Sequence, residues 1–315
     1  MTRILITGAG MVGCHAARAL LDAGHEPAFV DAAPRTAYIR RITGTDVPVL
    51  AGDLRDLTTL IEAVRRTSPE VVVHTAALIG DAAQAVPHRG FEVNVVGTVN
   101  VAEAVRLGGV RRLVHASTIG VNDLSQPQPG PLREEFPIGS GGRIYGASKV
   151  ACEQLLWAYS REYHFELAVL RFAGIYGLGH FAGGSGIGPE ILGVVRAALA
   201  GEPARLGAGM PASYEIVYVK DVAQGVARAA TAPDLPHHIY NIGSGVLVEP
   251  GDVLAAMSRA FPGSTGTAAK PRPDLFPRRY PLDLTRSRAD LGYAPAYSLE
   301  DGLLDLAREV QVGLS

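Results

Sequence analysis

Tyr145 and Lys149 lie four residues apart, and residues 150–159 behind them contain no Gly or Pro. Good helix formers fill that run, so the spacing predicts a helix with phenol and ammonium on one face. A phenol ionises near pH 10, roughly, so alone it is a poor base at neutral pH. A cation one turn away favours the phenolate, which can take a proton from an alcohol. Spacing alone does not make the pair catalytic; a redox partner must be brought to it.

A second constellation could supply that partner. Gly8, Gly10 and Gly13 follow the β-branched run 3–7 and precede a helical pattern over 14–23, closed by Gly24. Strand, glycine turn and helix in this order form the dinucleotide fingerprint. The first glycine permits the tight turn, the second lets a pyrophosphate approach the backbone, and the third lets helix and strand pack. Free N–H groups at the helix N-terminus then face the phosphates. Asp31 ends the next strand, 26–30, where a carboxylate accepts hydrogen bonds from ribose hydroxyls and repels a 2′-phosphate. NAD is therefore favoured over NADP, with Arg35 close enough to soften the preference.

The remaining elements follow the same alternation. Strands are expected at 47–51, 70–74, 111–116 and 166–171, with helices at 57–64, 91–106 and from Tyr145 onward. The apolar run 70–74 suits a parallel sheet covered on both faces. This is an α/β pattern, a Rossmann-type doubly wound parallel sheet with a smaller C-terminal substrate-binding lobe. Residues 1–175 form the dinucleotide-binding domain, with returning segments near 215–245. Residues 176–214 and 246–315 form the lobe. The Pro- and Gly-rich stretch 123–142 reads as a loop over the site. The glycine-dense stretch 177–188 reads as mobile, and 189–199, 215–219, 221–230 and 239–242 as helix, strand, helix and strand. A Pro-rich stretch, 270–281, precedes helices starting at Thr285 and Ser298.

The 315 residues are 47% apolar and carry a formal net charge of −2. That balance gives no electrostatic footprint for nucleic acid or a membrane surface. Cys14 and Cys152 both sit in helical patterns and read as buried thiols of a reducing compartment. The nine histidines show no ligand spacing, so no metal is expected. No apolar run reaches membrane-spanning length and no signal peptide opens the chain, so a cytoplasmic protein is expected.

The residues then match a family in order. Thr7–Gly13, Asp53-Leu54, His74–Ala77, Asn94–Thr98, Ser117-Thr118, Tyr145–Lys149, Leu170-Arg171, Tyr218–Ala223, Tyr240–Ser244 and Arg286–Tyr293 resemble the extended short-chain dehydrogenase/reductases, the NAD-dependent epimerase/dehydratase family. The resemblance covers nearly the whole chain. It implies Thr118, Tyr145 and Lys149 as the catalytic group, with Thr118 fixing the substrate oxygen. It implies Gly8, Gly10, Met11, Val12, Gly13, Asp31, Asp53, Leu54, Ala76, Ala77, Asn94 and Lys149 as contacts to NAD. Ser117, Thr118, Tyr145, Gly174 and Arg272 are implied for a small-molecule substrate. Family members often pair as homodimers through helices that here span 91–106 and 145–163, with Val93, Val96, Trp157 and Tyr159 as candidate interface residues. Lowering the phenol by about 3 units needs roughly 4 kcal/mol, which Lys149 and the positive nicotinamide together could supply.

Several departures bear on the reaction. The glycine loop is one residue shorter than the family's T-G-x-x-G-x-x-G. Ile119-Gly120 stands where sugar 4,6-dehydratases carry Asp-Glu, which disfavours elimination. Gly174 replaces the asparagine of nucleotide-sugar members, and Tyr214 replaces their diphosphate arginine. Ser117–Gly120 and Leu170–Ile175 resemble the L-threonine dehydrogenase branch. The sequence reading therefore favours an NAD-dependent oxidoreductase acting on a secondary alcohol of a small sugar-like or hydroxy-acid substrate. Alternatives are a UDP-sugar 4-epimerase that retains its NAD, and a non-catalytic NAD-binding regulator.

Overall fold

The computed structural model describes residues 1–139, 142–179, 187–207, 211–270 and 278–312. The chain opens as β1 (Arg3–Thr7), α1 (Met11–Asp22), β2 (Glu26–Asp31), α2 (Thr36–Thr43), β3 (Val49–Ala51), α3 (Leu57–Thr67) and β4 (Val71–His74). Short helices α4 (Gly80–Ala85) and α5 (Pro87–Phe91) lead through a π-helical turn, Glu92–Val96, into α6 (Gly97–Leu107). Then come β5 (Arg112–Thr118), α7 (Ile144–Tyr163), β6 (Glu166–Phe172) and β7 (Gly174–Tyr176). The remainder is α8 (Ile187–Ala200), β8 (Ala204–Leu206), β9 (Tyr214–Tyr218), α9 (Val219–Thr231), β10 (Ile239–Ile242), β11 (Leu247–Val248), α10 (Pro250–Ala260), β12 (Gly266–Ala268), α11 (Thr285–Leu291) and α12 (Leu299–Gln311).

Seven parallel strands form one sheet in the order β10-β6-β5-β4-β1-β2-β3. The order reverses between β1 and β4, and a sheet of this kind opens its ligand crevice there, beyond the strands' carboxyl ends. Helices bury both faces, which is why β4 reads as four buried residues in a row. Local chemistry sets the element ends. Asp56 caps α3 by accepting from the Thr58 and Thr59 N–H groups, and Gly44 closes α2 in the left-handed region.

The structure revises several expected boundaries. The first helix starts at Met11 rather than residue 14. The helix expected over 91–106 is broken by the π turn. The strand expected to end at 116 continues to Thr118. Strand β9 joins β7 and β11 in a separate three-stranded sheet, while β10 returns to the large one. Helix α10 was not expected, although Pro250 at its first turn and the reciprocal Glu249–Asp252 capping box mark its start. The parallel pair β8–β12 was not expected either; strands of three residues carry no period to read.

The 123–142 stretch is irregular, as expected, but it is stitched down. Leu132 bridges to Leu282, Arg171 donates to the Glu134 carbonyl at 2.9 Å, and the Asn241 N–H donates to the Glu134 carboxylate at 2.9 Å. Most of the stretch expected to be mobile lies outside the described residues, as does Arg272. Among the described residues no helix is long and apolar enough to cross a membrane.

Candidate active site

The glycine loop joins β1 to α1 at the sheet's switch point. Gly8 has φ +89°, and a Cβ on it would sit 2.8 Å from the Ala76 backbone. Only glycine tolerates both conditions. A Cβ on Gly13 would collide with the Gly8 carbonyl, whereas one on Gly10 would meet nothing within 4 Å among the described residues. Helix α1 begins with Met11 and Val12, has no acidic residue in its first turn, and receives no side-chain cap from Gly10. Its first N–H groups are therefore donors facing an open cradle, the chemistry a pyrophosphate needs.

Asp31 lies at the end of β2, with one carboxylate oxygen accepting from Ala9 N–H and the other from Ala33 N–H, each at 2.8 Å. Each oxygen keeps a lone pair for a ribose diol. Ala76 and Ala77 follow β4 and are half-buried. Asp53 is held by Arg55 at 2.6 Å, and that hydrogen bond keeps its carboxyl below the usual range. Leu54 is buried against Gly97.

Thr118 sits at the carboxyl end of β5. Its hydroxyl accepts from Gly120 N–H at 3.0 Å, and its interaction with the Tyr145 phenol pulls that phenol down. Lys149 is buried one turn along α7 and donates to the Ala116 carbonyl at 2.6 Å. Burial pushes the Tyr145 phenol above its ordinary value and the nearby Cys152 adds to this, against the pull of Thr118. Burial pulls the Lys149 ammonium below its ordinary value, opposed by Cys152 and Glu153. The sequence reading had Lys149 lowering the phenol; here desolvation dominates and the protein's own groups favour neutral Tyr145.

Asn94, in the π turn, is buried. Its side chain clamps both main-chain groups of Leu78 at 2.8 Å and donates to Ser148 on α7 at 3.1 Å. It thus ties the loop after β4 to the helix turn between Tyr145 and Lys149. The Asn94 carbonyl accepts from Thr98 Oγ1 at 2.5 Å and Cys152 Sγ at 3.0 Å.

Ser117 does not join Thr118. Its hydroxyl donates to buried Glu153 at 2.5 Å, and Glu153 is paired with buried Arg171 at 2.7 Å. The Ser117 hydroxyl is thus taken by Glu153, two turns of α7 beyond Tyr145. Gly174 lies in β7, where a Cβ would sit 3.1 Å from the Glu215 carbonyl and 3.2 Å from Ile187 Cδ1. It can offer main chain only. Tyr214 is 4% exposed within the lobe's apolar core.

Sequence reasoning missed Arg278. Its Nη1 is buried with no hydrogen-bond partner among the described residues. Burial pulls this guanidinium below its ordinary value, and the Glu215 carboxylate opposes that. Glu215 lies in β9, next to Gly174 of β7. The paired arginines 278 and 279 were the only available signal, and the prolines before them obscured it.

A model of the NAD dependent epimerase/dehydratase family matches residues 4–243. The UDP-glucose 4-epimerase of Mycolicibacterium smegmatis is 31% identical over 319 residues, covering 96% of each chain. That of Yersinia pestis is 30% identical over 327 residues, covering 96% of this chain and 95% of its own. The crystal structure of the Thermus thermophilus UDP-glucose 4-epimerase, a complex with NAD, superposes with a TM-score of 0.82 at 30% identity. It covers 98% of this chain and 99% of its own.

Proposed function

Because the chain belongs to the NAD-dependent epimerase/dehydratase family, we propose that it is a nucleotide-sugar 4-epimerase working on a UDP-hexose and retaining its NAD. The observation that carries this is the end-to-end similarity to UDP-glucose 4-epimerases. It favours the epimerase over the dehydrogenase that the departures at Gly174 and Tyr214 first suggested. The glycine cradle fits NAD: Gly8 to Gly13 and the first turn of α1 would hold the pyrophosphate, and Asp31 the adenosine ribose. NAD bound there would supply the hydride acceptor and donor and a positive charge beside Tyr145.

In this reading Tyr145 takes the proton of the substrate's 4-hydroxyl as the carbon is oxidised, and gives it back after the keto sugar has turned. Thr118 holds the same oxygen, and its bond to Gly120 N–H fixes the hydroxyl's direction. Lys149, anchored on Ala116, serves the nicotinamide ribose. Ile119 and Gly120 offer no acid for elimination. Tyr214 is packed away, so the diphosphate falls to Arg278, a buried cation with a donor to give.

The test is a substrate screen with UDP-galactose, UDP-glucose, L-threonine and sugar acids. Conversion of one UDP-hexose into its 4-epimer without net NADH is expected. Net NADH from a small alcohol and no epimer would instead establish the dehydrogenase, which the Ser117–Gly120 resemblance favours.

The exposed apolar residues Val96 on the π turn and Trp157 and Tyr163 on α7 support a homodimer through these helices. Sedimentation should give twice the 33.1 kDa chain mass; a monomer would refute the pairing.

A further inference from the structure

After β7 the chain crosses the N-terminal turn of α1 as Gly177-Leu178-Gly179. The Leu178 carbonyl accepts two hydrogen bonds from the dinucleotide-binding half. One comes from His15 Nε2 on α1 at 3.2 Å, the other from the Tyr38 hydroxyl on α2 at 3.0 Å. Gly177 has φ +151°, and a Cβ on it would collide with Val219. Gly179 has φ +118°, and a Cβ on it would collide with the Tyr38 hydroxyl and sit 3.2 Å from Met11 Cβ. Leu178 and Met11 both pack against the lobe's buried apolar cluster. Burial pulls His15 down to about 4, so at neutral pH it is an uncharged donor. This strap therefore lies directly over the helix turn whose N–H groups form the cradle.

We propose that His15 and Tyr38 are positioning residues that latch the strap at Leu178 and so gate the entry and exit of the dinucleotide. The proposal rests on the epimerase reading. An epimerase must keep its reduced cofactor while the keto sugar turns, whereas a dehydrogenase must release it every cycle. The two bonds form within the protein. Lifting the strap breaks both, so they slow passage in either direction. A residue that only contacted the cofactor would slow release alone.

The test follows NADH fluorescence on purified protein, measuring association on mixing and release on dilution into excess NAD⁺. Tyr38→Phe, which removes one hydroxyl, should speed release about fivefold, and Tyr38→Phe with His15→Leu about 30-fold. Association should quicken by similar factors, so that affinity changes far less than either rate. His15→Gln keeps a donor and should stay within about twofold of wild type. Unchanged rates in Tyr38→Phe, or faster release without faster association, overturn the latch. If the double variant does not fold, Tyr38→Phe decides alone. A wild type that sheds NADH within a single turnover overturns the epimerase reading instead; the ratio of variant to wild-type rates still tests the latch.

Discussion

Thr118 at the end of β5 interacts with the Tyr145 phenol, and the chemistry proposed for the chain rests on that pairing. Tyr145→Phe keeps the ring and loses the proton carrier. Turnover should fall at least about 10³-fold while NAD⁺ still raises the melting temperature more than NADP⁺ does. Turnover near wild type would sink the mechanism; an equal response to NADP⁺ would sink the role of Asp31. For Arg278→Ala, loss of a charge-assisted hydrogen bond should raise the UDP-hexose KM about 10- to 100-fold with kcat little changed. An unchanged KM would remove Arg278 from the diphosphate. The tyrosine, lysine and glycines were legible because each needs only local spacing. Ser117 was placed beside Thr118 by resemblance alone; that its hydroxyl is taken by Glu153 depends on a tertiary partner that spacing does not show.

At the scale of elements, the π turn is what sequence could not show. Residues 92–96 suit an α-helix equally well, and the wider turn becomes visible only through what it accommodates. The freed Asn94 carbonyl takes Thr98 and Cys152, while the side chain bridges Leu78 and Ser148. π turns often mark functional sites, and this one registers the loop after β4 against α7. Asn94→Ala leaves both Leu78 main-chain groups without their partner and should cost about 2–4 kcal/mol. Denaturant unfolding measures this directly, and an unchanged midpoint would refute the clamp. The alternating strands and helices of the first half were readable from periodicity. The lobe was less so, because its short strands and capped helices depend on tertiary partners.

For the molecule as a whole, buried histidines set an acid limit. Burial pulls His15 to about 4 and His74 to about 3. Their folded values lie below the unfolded one of about 6.5, so the unfolded chain binds the proton first. Their contribution is complete above pH 6.5 or so, and for His15 it falls as pH descends toward 4, by on the order of 3 kcal/mol. Glu215, Glu134 and Asp221 are pushed up by burial and act in the opposite sense. The measurement is therefore the difference between wild type and His15→Gln. The variant should lose less stability between pH 6.5 and 4, about one proton's worth of slope. Parallel curves would show that His15 is not held neutral by the fold.

The return of β10 to the large sheet has a consequence for how the protein is made. Strand β10 pairs with β6 across Ile239–Ile242 and Val169–Phe172. Until the ribosome has released residue 242, β6 is an uncovered edge carrying unpaired main-chain groups. The nucleotide-binding half therefore cannot finish until the lobe's first segment, 176–214, has been made. Its nascent form needs shielding while roughly seventy further residues are added, which takes several seconds.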